Sequence, residues 1–172
     1  MPDAPRKDVQ TVTPEGKSVK SLIDGVRIRP ATTIPDDRGT LCEVISLDWK
    51  FDDAPLVYVY QVTIRPQRVK GWVVHRHQDD RLFFSQGTVR LVLYDDRPES
   101  PTYKKLNELF FGELNRALVR IPLGVYHAVQ NVGTTDAMFI NSPTKPYNHA
   151  DPDKYRLPVN NELIPYRFED GY

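Results

Sequence analysis

From Ile23 onward the chain is cut into short apolar runs by turn chemistry at intervals of about ten residues, and this spacing limits the fold more than any other feature. The runs include GVRIRPATTI, TLCEVISLDW, LVYVYQVTIR, VKGWVVHRH, TVRLVLYDD, LNELFFG, RALVRIPL, YHAVQNVG and AMFINSP. DDRG, SQG, DDRPESP and VGTTD stand between them. Short runs rich in Val, Ile, Tyr and Phe at this spacing are read as strands of a sandwich or barrel. In TVRLVLYD, residues Val89, Leu91 and Leu93 share one face and Arg90 takes the other, which is strand alternation. No stretch keeps a helical period over eleven residues, and 15 prolines would interrupt one. The expectation is an all-β domain with little helix over residues 21–172. A polar arm, residues 1–20, precedes it, mobile or packed on a partner subunit.

Composition narrows the partners. Lys and Arg number 23, Asp and Glu 23, and the formal net charge is zero. A general nucleic-acid or membrane-surface binder carries a surplus of cations, so neither partner is expected. No run is long and apolar enough to span a bilayer. The first residues, MPDAPRKDVQ, lack the apolar core of a secretory signal. The single Cys42 allows no internal disulfide and suits a reducing compartment, so a cytoplasmic protein is expected. As a nucleophile Cys42 has no activator in sequence, and an inert thiol is expected.

Two segments carry candidate chemistry. The first is Lys70-Gly71-Trp72-Val73-Val74-His75-Arg76-His77-Gln78-Asp79-Asp80-Arg81, leading to Gly87. On a continuous strand His75 and His77 would point to one face, presenting a base or a ligand pair inside a barrel. The second is Pro122-Leu123-Gly124-Val125-Tyr126-His127-Ala128-Val129-Gln130-Asn131. It resembles the second cupin motif, PxG, two residues, His, three residues, Asn, and every fixed position matches. The turn residues lead into a strand, and His127 and Asn131 lie on one face of it. The first segment then resembles a first cupin motif with His75, His77 and Gly87 in place. Asp80 stands where the motif has its acid, with six residues between it and the glycine. This implies a jelly-roll β-barrel or sandwich.

The resemblance sharpens across residues 23–168. Asp37-Arg38-Gly39-Thr40-Leu41-Cys42-Glu43 resembles D-x-R-G-x-F-x-E of the dTDP-4-dehydrorhamnose 3,5-epimerase family. Lys70-Gly71 stands where that family has Arg-Gly before its catalytic His. Asp95 to Thr102 resembles D-x-R-x-x-S-P-T, and Ile121 to His127 resembles I-P-x-G-x-A-H. The family's catalytic His falls at Val73, and its general-acid Tyr at Phe139. Its L-S-x-K-D segment, which supplies an Asp partner to the catalytic His, has no counterpart in these residues. The pair His75-x-His77 also resembles the G-x-H-x-H of related ketoisomerases.

The resemblance implies a nucleotide-sugar epimerase or ketoisomerase of the dTDP-4-keto-6-deoxysugar type. It would abstract a proton next to a carbonyl without a cofactor or a metal. Such chemistry needs a base near neutral pKa, a cation for the enolate oxygen and a proton donor. Either His75 or His77 is the expected base, Lys70 or Arg81 the cation, with Arg76 pointing away, and Tyr147, Tyr126 or a water the donor. Arg38, Glu43, Gln61, Arg65, Arg68, Arg81, His127 and Asn141 are expected to bind substrate. Residues 65–81 hold five cations against two acids, the local imbalance a protein gripping a diphosphate would show. Apolar residues on both strand faces, together with the resemblance, point to a homodimer. Two other readings are open: a non-catalytic nucleotide-sugar-binding cupin, and a metal-dependent cupin enzyme using His75, His77 and His127.

Overall fold

The computed structural model describes residues 5–168, so the first four residues of the expected arm and the last four of the chain lie outside it. The strands are β1 (Arg27–Pro30), β2 (Thr33–Asp36), β3 (Gly39–Cys42), β4 (Tyr60–Ile64), β5 (Val69–Val74), β6 (Asp80–Gln86), β7 (Thr88–Asp95), β8 (Leu106–Gly112), β9 (Ala117–Ile121), β10 (Val125–Asn131), β11 (Ala137–Asn141) and β12 (Tyr155–Arg156). The one helical element among the described residues is a 3-10 turn at Leu47–Trp49. Two antiparallel five-stranded sheets, ordered β1-β9-β6-β11-β4 and β12-β5-β10-β7-β8, face each other, and β2-β3 forms a separate hairpin. No helix among the described residues is long and apolar enough to cross a membrane.

Alternation builds the core. Val89, Leu91 and Leu93 of β7 are fully enclosed. They meet Phe84, Val119, Val129 and Phe139 from both sheets. Phe84 stacks flat on Phe111 of β8 at 4.9 Å, tying an end of one sheet to the other.

The opposite face of the second sheet is also buried, but by the chain itself. Trp72, Val92, Tyr94 and Ala128 lie beneath Ile164 and Phe168 of the C-terminal segment. The Trp72 indole N–H donates to the Val159 carbonyl at 3.1 Å. The apolar character of both strand faces therefore does not by itself call for a partner subunit. The uncovered apolar residues lie elsewhere. Ile34 and Leu41, cross-strand neighbours in the β2-β3 hairpin, are 58% and 59% exposed. Leu56, Val57 and Val59, just before edge strand β4, are exposed as well.

Candidate active site

Strand β5 stops at Val74, so strand alternation does not carry through the two histidines. Asp153 explains the stop. Its carboxylate accepts the backbone N–H groups of Arg76 at 2.9 Å and His77 at 2.8 Å, folding residues 75–79 into a turn. The Asp153 carbonyl accepts Nδ1–H of His75. His75 is thereby directed inward, while His77 lies exposed on the turn. The expected pairing of His75 and His77 on one face is corrected by this geometry.

A second carboxylate, this one buried, holds the opposing turn. Asp79 accepts from Arg120 at 2.6 Å and from the Leu123 N–H at 2.9 Å. The Gly124 N–H donates to the His75 carbonyl at 2.7 Å. The Pro-Leu-Gly turn that launches β10 is thus fastened to the turn that carries His75. His127, third residue of β10, arrives beside it, with the two imidazole centroids 5.6 Å apart.

Asp80 opens β6 and closes the cluster. Its Oδ2 lies 3.1 Å from His75 Nε2 and 3.3 Å from His127 Nε2. Its Oδ1 accepts from Asn141 Nδ2 at 3.0 Å, and the same amide nitrogen donates to the Tyr60 hydroxyl at 2.8 Å. Burial pulls the His75 imidazole down, but the hydrogen bond and charge of Asp80, aided by Asp153, outweigh it and raise its pKa. Burial likewise pushes the Asp80 carboxyl up, and the hydrogen bonds from His127 and His75 hold it well below the usual range. Burial and the Asp80 charge push the Tyr60 phenol up to about 12.

These groups open onto a cavity of about 280 Å³ between the sheets. Tyr60, Val62, Asp80, Leu82, Phe139 and Asn141 line it from the first sheet. Val69, Gly71, Val73, His127 and Val129 line it from the second. Lys70, Lys154 and Arg156 complete the lining, and none of the three sits within ion-pair distance of a carboxylate among the described residues. Burial, then the charges of Arg156 and Lys70, lower the Lys154 pKa, as expected where cations converge. Such a cluster is suited to a polyanion.

The structure brings His75, His127, Lys70 and Asn141 to this cavity and leaves the other expected residues away from it. Gln61 points outward because Tyr60 and Val62, its neighbours on β4, point in. Arg81 is fully enclosed and donates to Asp52 and to the carbonyls of Ala54, Pro55 and Ser142, so it anchors a loop. Arg38 sits exposed at the hairpin tip, paired with Asp36 at 2.6 Å. Glu43 lies exposed beside Arg29 and Trp49, and Arg65 and Arg68 are exposed on the turn between β4 and β5. Tyr147 is 39% exposed, with its ring edge against His149. Sequence reasoning missed Tyr60, Lys154 and Arg156, and named Asp80 only by motif spacing. Alternation on β4 could have found Tyr60. Arg156 comes from the two-residue strand β12 and Lys154 from the residue before it, a stretch with no pattern of its own.

The donor set that a divalent cation would accept is also different from the expected one. His75, Asp80 and His127 offer ligand atoms within 4.8 Å of one another, and His77 is not among them.

No protein-family model matches the chain. It is 35% identical over 142 residues to the probable low-salt glycan biosynthesis epimerase Agl13 of Haloferax volcanii, covering 80% of this chain and 89% of that protein. It is 33% identical over 154 residues to the spore coat polysaccharide biosynthesis protein SpsL of Bacillus subtilis, covering 88% and 99%. The dTDP sugar isomerase of Desulfovibrio desulfuricans superposes with a TM-score of 0.80 at 26% identity, covering 85% of this chain and 92% of that one. The fold is also that of the dTDP-4-dehydrorhamnose 3,5-epimerase of Sulfolobus tokodaii, with a TM-score of 0.70, 24% identity and 85% of each chain covered.

The chain belongs to the dTDP-4-dehydrorhamnose 3,5-epimerase family. This is a family of nucleotide-sugar epimerases and isomerases on a cupin-type barrel. Val73 and Phe139, which the motif resemblance sets at the places of the family's catalytic His and Tyr, both line the cavity as apolar wall. The titratable groups are gathered instead on His75, Asp80, His127 and Tyr60.

Proposed function

We propose that this protein is a nucleotide-sugar epimerase or isomerase that moves a proton on a carbon adjacent to a sugar carbonyl, using the His75–Asp80–His127 cluster and no cofactor. The observation that carries this reading is the position of that cluster, hydrogen-bonded and buried, on a cavity edged by three cations that have no carboxylate partner among the described residues. A carbonyl acidifies the neighbouring C–H, and a buried imidazole is a base of suitable strength. His127 is the base in this reading, because both of its ring-nitrogen contacts are 3.3 Å and hold it more loosely than His75. Asp80 stabilises the imidazolium that forms. Lys70 and the charged His75 stabilise the enolate oxygen. Lys154 and Arg156 grip the diphosphate, taking the part expected of Arg38, Arg65 and Arg68.

The substrate class follows from the dTDP sugars named for its solved neighbours, and the pathway class from relatives named for glycan and polysaccharide biosynthesis. The reading places the enzyme in the cytoplasm, folded as an N-terminal arm of about twenty residues and one barrel domain. It is a homodimer that buries Ile34, Leu41 and the run Leu56–Val59. A solution mass near 19.8 kDa would contradict the dimer.

The deciding experiment incubates the enzyme in D2O with dTDP-4-keto-6-deoxyhexoses and follows the C3 and C5 protons by NMR. Exchange at one of these carbons is expected. Absence of exchange in every substrate tested would sink the catalytic reading and favour a binding protein.

A further inference from the structure

The phenol of Tyr60 has an orientation that can be worked out by counting hydrogen bonds. Asn141 has one carbonyl oxygen and two amide protons to place. Its Oδ1 accepts the Arg81 backbone N–H at 3.2 Å. Its Nδ2 donates to Asp80 Oδ1 at 3.0 Å and to the Tyr60 hydroxyl at 2.8 Å. A carboxylate held ionised accepts only, so the amide cannot be turned the other way without setting oxygen against oxygen. Both amide protons are therefore committed, and Tyr60 is obliged to accept. Its own O–H finds no acceptor among the described residues, and its side chain lines the cavity. The proton of Tyr60 is left for whatever occupies the cavity.

The same wall explains why this matters. Phe139 lines the cavity two residues before Asn141 on β11 and has no proton to give. Tyr60 is the cross-strand partner of Asn141 on the adjacent strand β4. It is the one phenol among the cavity-lining residues.

We infer that Tyr60 is the proton donor of this site, aimed by Asn141 and standing in for the hydroxyl absent at Phe139. The inference rests on the proton-transfer reading above. The base takes a proton from the carbon beside the carbonyl, and the C–H bonding pair becomes the enolate C=C while the carbonyl π pair moves onto oxygen. Tyr60 then gives its O–H proton to the enolate carbon, the carbonyl re-forms, and Tyr60 is left as phenolate. Water reprotonates the phenolate, and the base releases its proton to water. Nothing is oxidised or reduced. Burial and the Asp80 charge keep the phenol protonated across neutral pH between turnovers. Because the proton returns from a group other than the one that removed it, inversion at carbon is the outcome this pair serves.

The test is Tyr60→Phe, assayed in two ways with a substrate deuterated at the exchanging carbon. Wash-out of deuterium into water reads the base, and appearance of epimerised product reads the donor. Wild type should do both. Tyr60→Phe should retain wash-out within about threefold, from solvent return on the base side, and lose product formation at least 100-fold, with KM little changed. A parallel fall in wash-out and product would overturn the inference, since it would mark Tyr60 as structural support only. Undiminished product formation would overturn it too. Asn141→Leu, which frees the phenol to turn, should lower kcat for product while leaving KM and the fluorescence of the folded protein unchanged; an unaffected kcat would count against the aiming role. If wild type itself exchanges no proton, the failure lies with the proton-transfer reading and not with Tyr60.

Discussion

Asp80→Asn tests the electrostatic core of the site most directly. In the wild type the Asp80 carboxylate holds His75 protonated against burial, with side chains only 7% and 4% exposed. Substitution leaves the shape but removes the charge. The new amide can still meet Asn141 through its oxygen, and its NH2 then faces two imidazole nitrogens, which accept only when neutral. Losing one charge-assisted hydrogen bond costs about 1.5–3 kcal/mol. With that hydrogen bond and charge gone, burial is left to act and the raised His75 pKa should fall.

The stability consequence has a definite sign. A histidine whose folded pKa is raised stabilises the protein fully below its unfolded value, near 6.5, and loses that gain as pH rises through the folded value. Asp80, held low, stabilises above the ordinary carboxylate value of about 3.9 and loses its gain as pH falls through its folded value. The pair therefore contributes most between about pH 4 and 6.5. Urea unfolding should show Asp80→Asn about 1.5–3 kcal/mol less stable at pH 5.5, with the difference shrinking at pH 9. Histidine NMR titration reads the pKa itself. A deficit equal at both pH values, or a His75 pKa that does not drop, would refute the reasoning.

Three further outcomes follow from the same contacts. Lys154→Met and Arg156→Gln should each weaken dTDP binding about tenfold by calorimetry, equivalent to about 1.4 kcal/mol; wild-type affinity should also decline with rising pH earlier than an ordinary lysine would cause, because Lys154 titrates low. Asp79→Ala should cost about 2 kcal/mol, discounted for the partial exposure of its Arg120 partner, and lower Tm by roughly 4–8 °C in a thermal melt. Gly71→Ala should cost at least about 3 kcal/mol in urea unfolding, since the added Cβ would lie 2.4 Å from the Ala128 Cβ and the backbone there has a φ of +152°; an unchanged midpoint would be inconsistent with this packing.

Spacing and alternation were enough to read the sheets. Val89, Leu91 and Leu93 fell on the core face because a strand has a period of two and its neighbours are also strands. The motif around Pro122–Asn131 placed His127 correctly for the same reason, since β10 runs unbroken through it. The first histidine segment misled because alternation was extended one turn too far. The clamp that ends β5 after Val74 comes from Asp153, nearly eighty residues downstream, and no local pattern near His75 announces it. Gln61 is expected at the substrate, yet its neighbours Tyr60 and Val62 take the cavity face, the phase ambiguity that a period of two always leaves until the buried face is known. Arg81 shows a different limit. A cation within a positive segment was assigned to a ligand, whereas it is spent on the carbonyls of a loop near residues 52–55 that sequence does not place beside it. The apolar outer face of β5, β7 and β10 was assigned to a partner because the segment ending at Phe168 carries too many polar residues to look like a lid.

Asp153 ties the site together in a way that bears on how this enzyme can diversify. Its carbonyl and carboxylate fix the His75 turn, and Lys154 and Arg156, just after it in the chain, line the cavity and are the cations proposed above to grip the diphosphate. In that proposal, diphosphate grip and His75 placement rest on four consecutive residues. A change in the loop that alters the grip on the diphosphate also displaces His75, so altered nucleotide affinity and altered enolate stabilisation should arise together in descendants of this chain. Sugar preference is free of that constraint, because Val62, Val73 and Phe139 belong to separate strands and can be exchanged one at a time.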